Sequence, residues 1–209
     1  AQFQIGKALT LSERHREAED HFRAFIDTHP TSPRLAEAYD ALSKALRRLD
    51  RAHEVPTLYR NAIERLGDDP TNRTVEPLLL TCAKIHKTPD ERTALEHELS
   101  TLAARSRTAG RRTLAARCAW LLARLAKKSC PETTRAAYLG LARDVPPKLL
   151  PPAIAIEIAE HLADSGHLAD AEPLLRHLAD CPGTPECHRA LAALGDRKST
   201  RLNSSHGKL

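Results

Sequence analysis

The sequence contains no methionine, one tryptophan, three tyrosines, three phenylalanines and only eight glycines. β-Branched runs are scarce too, so the apolar content rests mainly on Ala and Leu. With Arg and Glu, these residues lose little rotamer freedom in a helix. The composition therefore predicts an all-α protein. So few glycines leave little material for a phosphate-cradling loop, and no Gly-rich phosphate motif, HExxH or GxSxG occurs. No window approaches the roughly 18 consecutive apolar residues of a membrane span. The longest runs, Leu78 to Ala83 and Ala153 to Ala159, are short and broken by polar residues. Five cysteines are an odd number in no disulfide framework, and they read as unpaired thiols on helix faces. The missing methionine, and an opening at Ala1 that already reads as helix, suggest the middle of a longer protein.

The formal charge of +5 points at first to an anionic partner. Three of those charges come from the last fourteen residues, where Arg197, Lys198, Arg201 and Lys208 outweigh Asp196. Residues 196–206, DRKSTRLNSSH, resemble the in-frame translation of a common sequencing adapter. Residues 196–209 are accordingly expected to be a disordered read-through tail. The remaining charge is ordinary for a protein surface.

Apolar residues recur at helical spacing, and Pro or Gly clusters interrupt them every 15 to 20 residues or so. The pattern predicts helices over 1–12 and 16–28, 34–49 and 53–66, 73–87 and 90–106, 111–127 and 132–144, 152–164 and 168–180, and a half-unit at 185–195. The stripe Leu35, Ala38, Tyr39, Leu42, Ala45, Leu46 and Leu49 follows the i, i+3, i+4, i+7 rule of a helix with one buried face. Val55, Leu58, Tyr59, Ala62, Ile63 and Leu66 do the same. Thr88-Pro89-Asp90-Glu91 predicts a capping box, and Ser32-Pro33 and Thr184-Pro185-Glu186 predict similar helix starts.

Helical hairpins recurring every 34 to 40 residues or so indicate a helical solenoid. Ile5-Gly6-Lys7-Ala8-Leu9, followed by Ala18, Phe22, Phe25 and Pro30, resembles the tetratricopeptide repeat. Phe25 is bulkier than that pattern expects. Tyr39, Leu42, Ser43, Leu46, Val55, Tyr59 and Ala62 repeat it, as do Ile158, Ala159, Leu162, Gly166, Ala171, Leu175, Leu178 and Pro182. Residues 73–144 match only in hairpin period, so degenerate repeats or another α-solenoid type stay open there. The resemblance implies a right-handed α-solenoid of about five hairpins and a half-unit over residues 1–195. The Thr-His-Pro-Thr-Ser-Pro linker at 28–33 is similar to that of bacterial envelope proteins, including Tol–Pal-associated proteins and outer-membrane assembly lipoproteins. That subtype would imply a periplasmic rather than a cytoplasmic scaffold.

His177, Cys181, Cys187 and His188 form the densest group of metal-ligating residue types. Zinc needs four converging ligands with tight paired spacing, and no CxxC-type pair exists here. The segment reads as a turn between hairpins, with no metal and no cofactor expected. Nothing places a cysteine beside a histidine as a nucleophile pair, so no enzyme activity is expected. Trp120 is expected to pack between helices.

By resemblance, the concave groove of such a solenoid would present Lys7, Glu37, Asp40, Lys44 and Arg47 to a peptide or partner protein. Mixed charges there would select partners by complementarity. Two other readings stay open. The chain could be the docking or regulatory arm of a larger enzyme, or it could bind nucleic acid or another anionic partner along the basic edge from Arg105 to Lys128.

Overall fold

The computed structural model describes residues 2–86, 88–127 and 130–206, with side chains as far as Gly195. Expectations that fall on Lys128, or on the side chains of 196–209, lie outside the described residues. Among the described residues there is no strand. The helices are α1 (Gln2–Leu11), α2 (His15–Thr28), α3 (Leu35–Arg48), α4 (Val55–Leu66), α5 (Val75–Ile85), α6 (Pro89–Thr108), α7 (Arg112–Ala126), α8 (Pro131–Asp144), α9 (Pro152–Asp164), α10 (Leu168–Ala179) and α11 (Pro185–His206). Single 3-10 turns precede α4 and α9. The all-α expectation and the order of hairpins hold.

The chain divides into two compact units, Ala1–Glu98 and Leu99–Leu209. In the first, α1 to α5 pack in chain order, and α3 also touches α1 and α5. In the second, α7 to α11 pack in chain order, with α10 returning to α8 and α11 to α9. Within each unit these consecutive helices thus cover one another's apolar sides, which is the repeat-like packing the periodicity predicts.

One turn recurs. Glu13, Asp50, Gly110 and Gly166 all adopt left-handed φ, at 59°, 59°, 74° and 83°. The next residue's N–H then reaches five residues back: Arg14 to Leu9, Arg51 to Leu46, Arg111 to Ser106 and His167 to Leu162, at 2.8–2.9 Å. This closure satisfies a carbonyl that a helix end would leave unpaired.

The first core is built on Phe22, Leu35, Leu42, Leu46, Tyr59, Ile63, Leu78 and Leu79, all fully buried. Phe25, at a position where the repeat expects a smaller residue, is accommodated against Phe3, with ring centroids 5.4 Å apart. The second core holds Leu114, Leu121, Tyr138, Ile154, Ile158, Leu162 and Leu175. Trp120 is buried between helices, as expected.

The capping box forms in full: Glu91 N–H donates to Thr88 Oγ1 at 3.2 Å, and Thr88 N–H to Glu91 Oε2 at 3.0 Å. Thr184 caps α11 through Cys187 N–H at 3.1 Å. Ser32 differs from expectation. Its Oγ takes the Arg34 N–H at 3.3 Å, closing a turn, and α3 starts only at Leu35.

Candidate functional site

Glu37, Asp40, Lys44 and Arg47 lie at helical spacing along one side of α3. Lys7 of α1 stands beside them. Lys7 Nζ lies 3.7 Å from Glu37 Oε2, an ion pair between two helices that are next but one in sequence. Lys44 Nζ pairs with Asp40 Oδ2 at 2.7 Å along α3. Arg47 is exposed and has no ion-pair partner among the described residues. The structure thus brings Lys7 to Glu37 and Asp40 to Lys44, and Arg47 follows one turn further along the same side of α3. Every member of these two ion pairs is at least 43% exposed, so each pair is worth only ~0–1 kcal/mol and can be exchanged for a partner's charge. Lys7 is steadied from below by the buried Phe3 ring, 4.9 Å from its ammonium, which Arg34 also covers at 5.4 Å.

A second cluster fastens α2 to the start of α4. Glu19, 7% exposed, accepts from Arg23 Nε at 2.9 Å and from Arg51 Nη1 at 2.7 Å. Arg51 also grips Glu54 through two nitrogens at 2.5 and 2.8 Å, and Arg23 closes the ring on Glu54 at 3.8 Å. The Arg51 hydrogen bonds hold the Glu54 carboxyl below its ordinary value. This is a clamp between helices with no reacting group in it. A surface reading of charged residues gives no reason to single out Glu19, whose burial depends on where α4 begins.

In the second unit, Tyr138 Oη donates to Glu157 Oε1 at 3.0 Å, and Arg124 Nη1 pairs with Glu157 Oε2 at 2.5 Å. Arg124 lies over the Trp120 ring at 5.5 Å, and His161 meets the Tyr138 ring edge-on at 5.1 Å. Burial, reinforced by Glu157, pushes the Tyr138 phenol well above its ordinary range. Burial, then Lys127, pulls the His161 imidazole below its ordinary value, and its Nε2 is buried with no hydrogen-bond partner. A neutral imidazole fits that setting.

Two charged or polar side chains of α7 and α8 escape pattern reading. Arg117 is 0% exposed. It occupies a stripe position three residues after Leu114 and four before Leu121, which is the one signal of its burial in the sequence. Thr134, also 0% exposed, ties α8 to α7 by donating to the Ala123 carbonyl at 3.0 Å.

Cys181 and Cys187 each donate a weak S–H bond to a carbonyl of α10, those of His177 at 3.4 Å and Ala179 at 3.5 Å. The segment is the turn between α10 and α11. Among the described residues no three His, Cys, Asp or Glu side chains converge on a metal position. Arg105 and Arg107 lie in the last turn of α6, Arg111 and Arg112 at the start of α7, and Lys127 at the far end of α7, roughly 22 Å from Arg112 by the helical rise. Residues 113–118, 120, 121 and 123 between them are buried, and Arg124 is neutralised by Glu157. Among the described residues of α7 itself, no run of exposed charge joins these two ends.

No family model, no curated protein and no solved structure matches this chain.

Proposed function

We propose that this chain is a protein-interaction scaffold of the tetratricopeptide kind. In this reading its hairpins stack as a right-handed α-solenoid, and the row Lys7, Glu37, Asp40, Lys44 and Arg47 lines the groove that holds a peptide or partner protein. The observation that carries it is the Lys7–Glu37 pair at 3.7 Å. That pair sets the polar sides of α1 and α3 next to each other, as neighbouring helices lining one groove require. Phe3 of α1 and the apolar stripe of α3 are spent on the core, so the exposed row is free for recognition. The row carries both signs, acidic at Glu37 and Asp40 and basic at Lys44 and Arg47, which favours selectivity and fast encounter over raw affinity.

A random peptide library displayed on phage and panned on the chain tests this. The expected result is a set of binders whose affinity drops about tenfold or more when Glu37→Lys and Lys44→Glu are introduced together. Circular dichroism and melting should be unchanged, and Arg176→Glu, on an exposed pair of α10, should leave binding intact. A panning that enriches no binder, or binders indifferent to the double reversal, ends the reading.

A further inference from the structure

The turns after α1 and after α3 are built alike. Glu13 and Asp50 both take φ 59°, and the Arg14 and Arg51 N–H groups reach back to the Leu9 and Leu46 carbonyls. Ile5-Gly6-Lys7-Ala8-Leu9 and Leu42-Ser43-Lys44-Ala45-Leu46 precede those turns at the same offset. Ile5 therefore corresponds to Leu42, and Ala8 to Ala45. Leu42 and Ala45 are buried, on a helix that α2 covers. Ile5 is 44% exposed and Ala8 is exposed. Leu11, 87% exposed, stands where α3 has the solvated Arg48, and it widens the apolar strip along the outer side of α1.

The charges repeat in the same register. Arg51 grips Glu54 through Nε and Nη2, and its Nη1 takes Glu19 of α2 at 2.7 Å. Arg14 grips Glu17 through the same two nitrogens, at 2.6 and 2.5 Å, and its Nη1 has no partner among the described residues. Arg23 pairs with Glu19, four residues before it, and stands 3.8 Å from Glu54. Glu17 has no ion-pair partner but Arg14 among the described residues. Half of a four-charge ring thus stands at the end of α1, and the half that α2 brings to α3 has no counterpart there. The missing half is a glutamate and an arginine four residues apart on one helix. Glu172 and Arg176 of α10 repeat that pair at 2.6 Å, in the same Ala-Glu-x-x-apolar-Arg setting as α2. Both α2 and α10 are already packed in their own hairpins, so neither covers the outer side of α1.

We propose that the outer side of α1 is a docking surface for one amphipathic helix of a partner protein, with the pattern Ala-Glu-x-x-(Phe or Leu)-Arg. The partner's glutamate takes Arg14 Nη1, and its arginine takes Glu17. Its apolar side lies on Ile5, Ala8 and Leu11. Helix recognition on a protein surface uses anchors at this i, i+3, i+4 spacing, and the two charge-assisted contacts fix the register. Lys7 lies on the same helix, so a partner seated on the charged row reaches this surface. The two surfaces use different residues and fail separately.

The probe is a blocked, fluorescein-labelled peptide with the α2 sequence, residues 15–28, titrated into the full chain and followed by anisotropy. Saturable binding is expected with a dissociation constant on the order of 100 μM, because so short a helix must be ordered as it docks. Glu19→Gln in the peptide and Arg14→Gln in the chain should each weaken binding about tenfold. Combined, they should weaken it no further, because both remove the same contact. Ile5→Lys, at an exposed position, should abolish binding and leave the circular dichroism unchanged. No saturation, or additive losses from the two glutamine changes, would overturn the proposal. So would binding indifferent to Ile5→Lys, the result if the peptide displaces the chain's own α2. Sedimentation showing a self-paired chain that Ile5→Lys separates would make a second copy the occupant. A reading frame that places an α2-like helix just upstream of Ala1 would make the same polypeptide the occupant. Either result overturns the partner protein.

Discussion

A Cβ on Gly6 would stand 2.8 Å from Cε1 of Phe22. No real Cβ contact is that short, so α1 and α2 approach as closely as they do only because residue 6 has no side chain. Phe22 is fully buried and cannot swing aside.

Gly6→Ala is therefore expected to destabilise the chain. Overpacking costs about 1–3 kcal/mol, and the better helix propensity of Ala returns about 1 kcal/mol, leaving a net loss of about 1 kcal/mol. Gly140, inside α8, is the control: the nearest atom to an added Cβ is Asp144 Oδ2 at 4.0 Å. Gly140→Ala should stabilise by about 0.5–1 kcal/mol. Urea denaturation followed by circular dichroism separates the two, and equal signs would contradict the close approach.

Removing Glu19 leaves the Arg23 and Arg51 guanidinia facing each other with Glu54 as their remaining partner. Glu19→Ala is expected to cost about 2 kcal/mol, the scale of charge-assisted hydrogen bonds at a buried acceptor. Arg14→Ala breaks only an exposed pair with Glu17, and its denaturation midpoint should stay at the wild-type value.

His161 couples stability to pH. Its folded-state value is lowered from 6.5, so the unfolded chain takes up a proton more readily than the folded one. Its contribution is complete above about pH 6.5 and is lost as pH falls below that value. Lys127 and Arg135 oppose protonation, and Glu157 and Asp164 favour it. Between pH 7.5 and 5.5 the wild-type denaturation midpoint should fall more steeply than that of His161→Gln. Parallel slopes would assign the pH dependence to other histidines.

Cys130 should be the first thiol to react. It is exposed, and the Thr133 hydroxyl and N–H, donating to its sulfur, lower the thiol from its ordinary value. Cys82 is buried and pushed up to about 12, so it should react last. Mass spectrometry of iodoacetamide-treated chain gives the order. Thr133→Val should slow Cys130 without altering Cys82.

The close contact at Gly6 was visible in the sequence as a small residue in a repeat of helical hairpins, and so was the Thr88–Glu91 capping box. The box depends on residues three positions apart, where spacing alone dictates who can meet, whereas Gly6 meets Phe22 across two helices and was flagged only by its place in the repeat pattern. Ser32 shows where that reasoning weakens. A serine before a proline can cap a helix or close a turn, and the choice rests on the chain leaving α2. Of the charged row, the Asp40–Lys44 pair follows from i, i+4 spacing. The Lys7–Glu37 pair needed α1 beside α3.

Helix positions, hairpin order and the apolar stripes were determined by the sequence itself, because helical periodicity and capping act within a turn or two of chain. Only the tertiary structure decided which charges went inside. Glu19 has the same local signature as a solvated residue, Arg117 differs from one only in its stripe position, and whether a charge can be buried depends on the partners and dielectric that distant helices bring to it. A recess between α2, α3 and α4 belongs to the same class: its apolar wall of Ile26, Leu42 and Leu58 and its Arg65–Asp27 pair share a place only once those helices have packed.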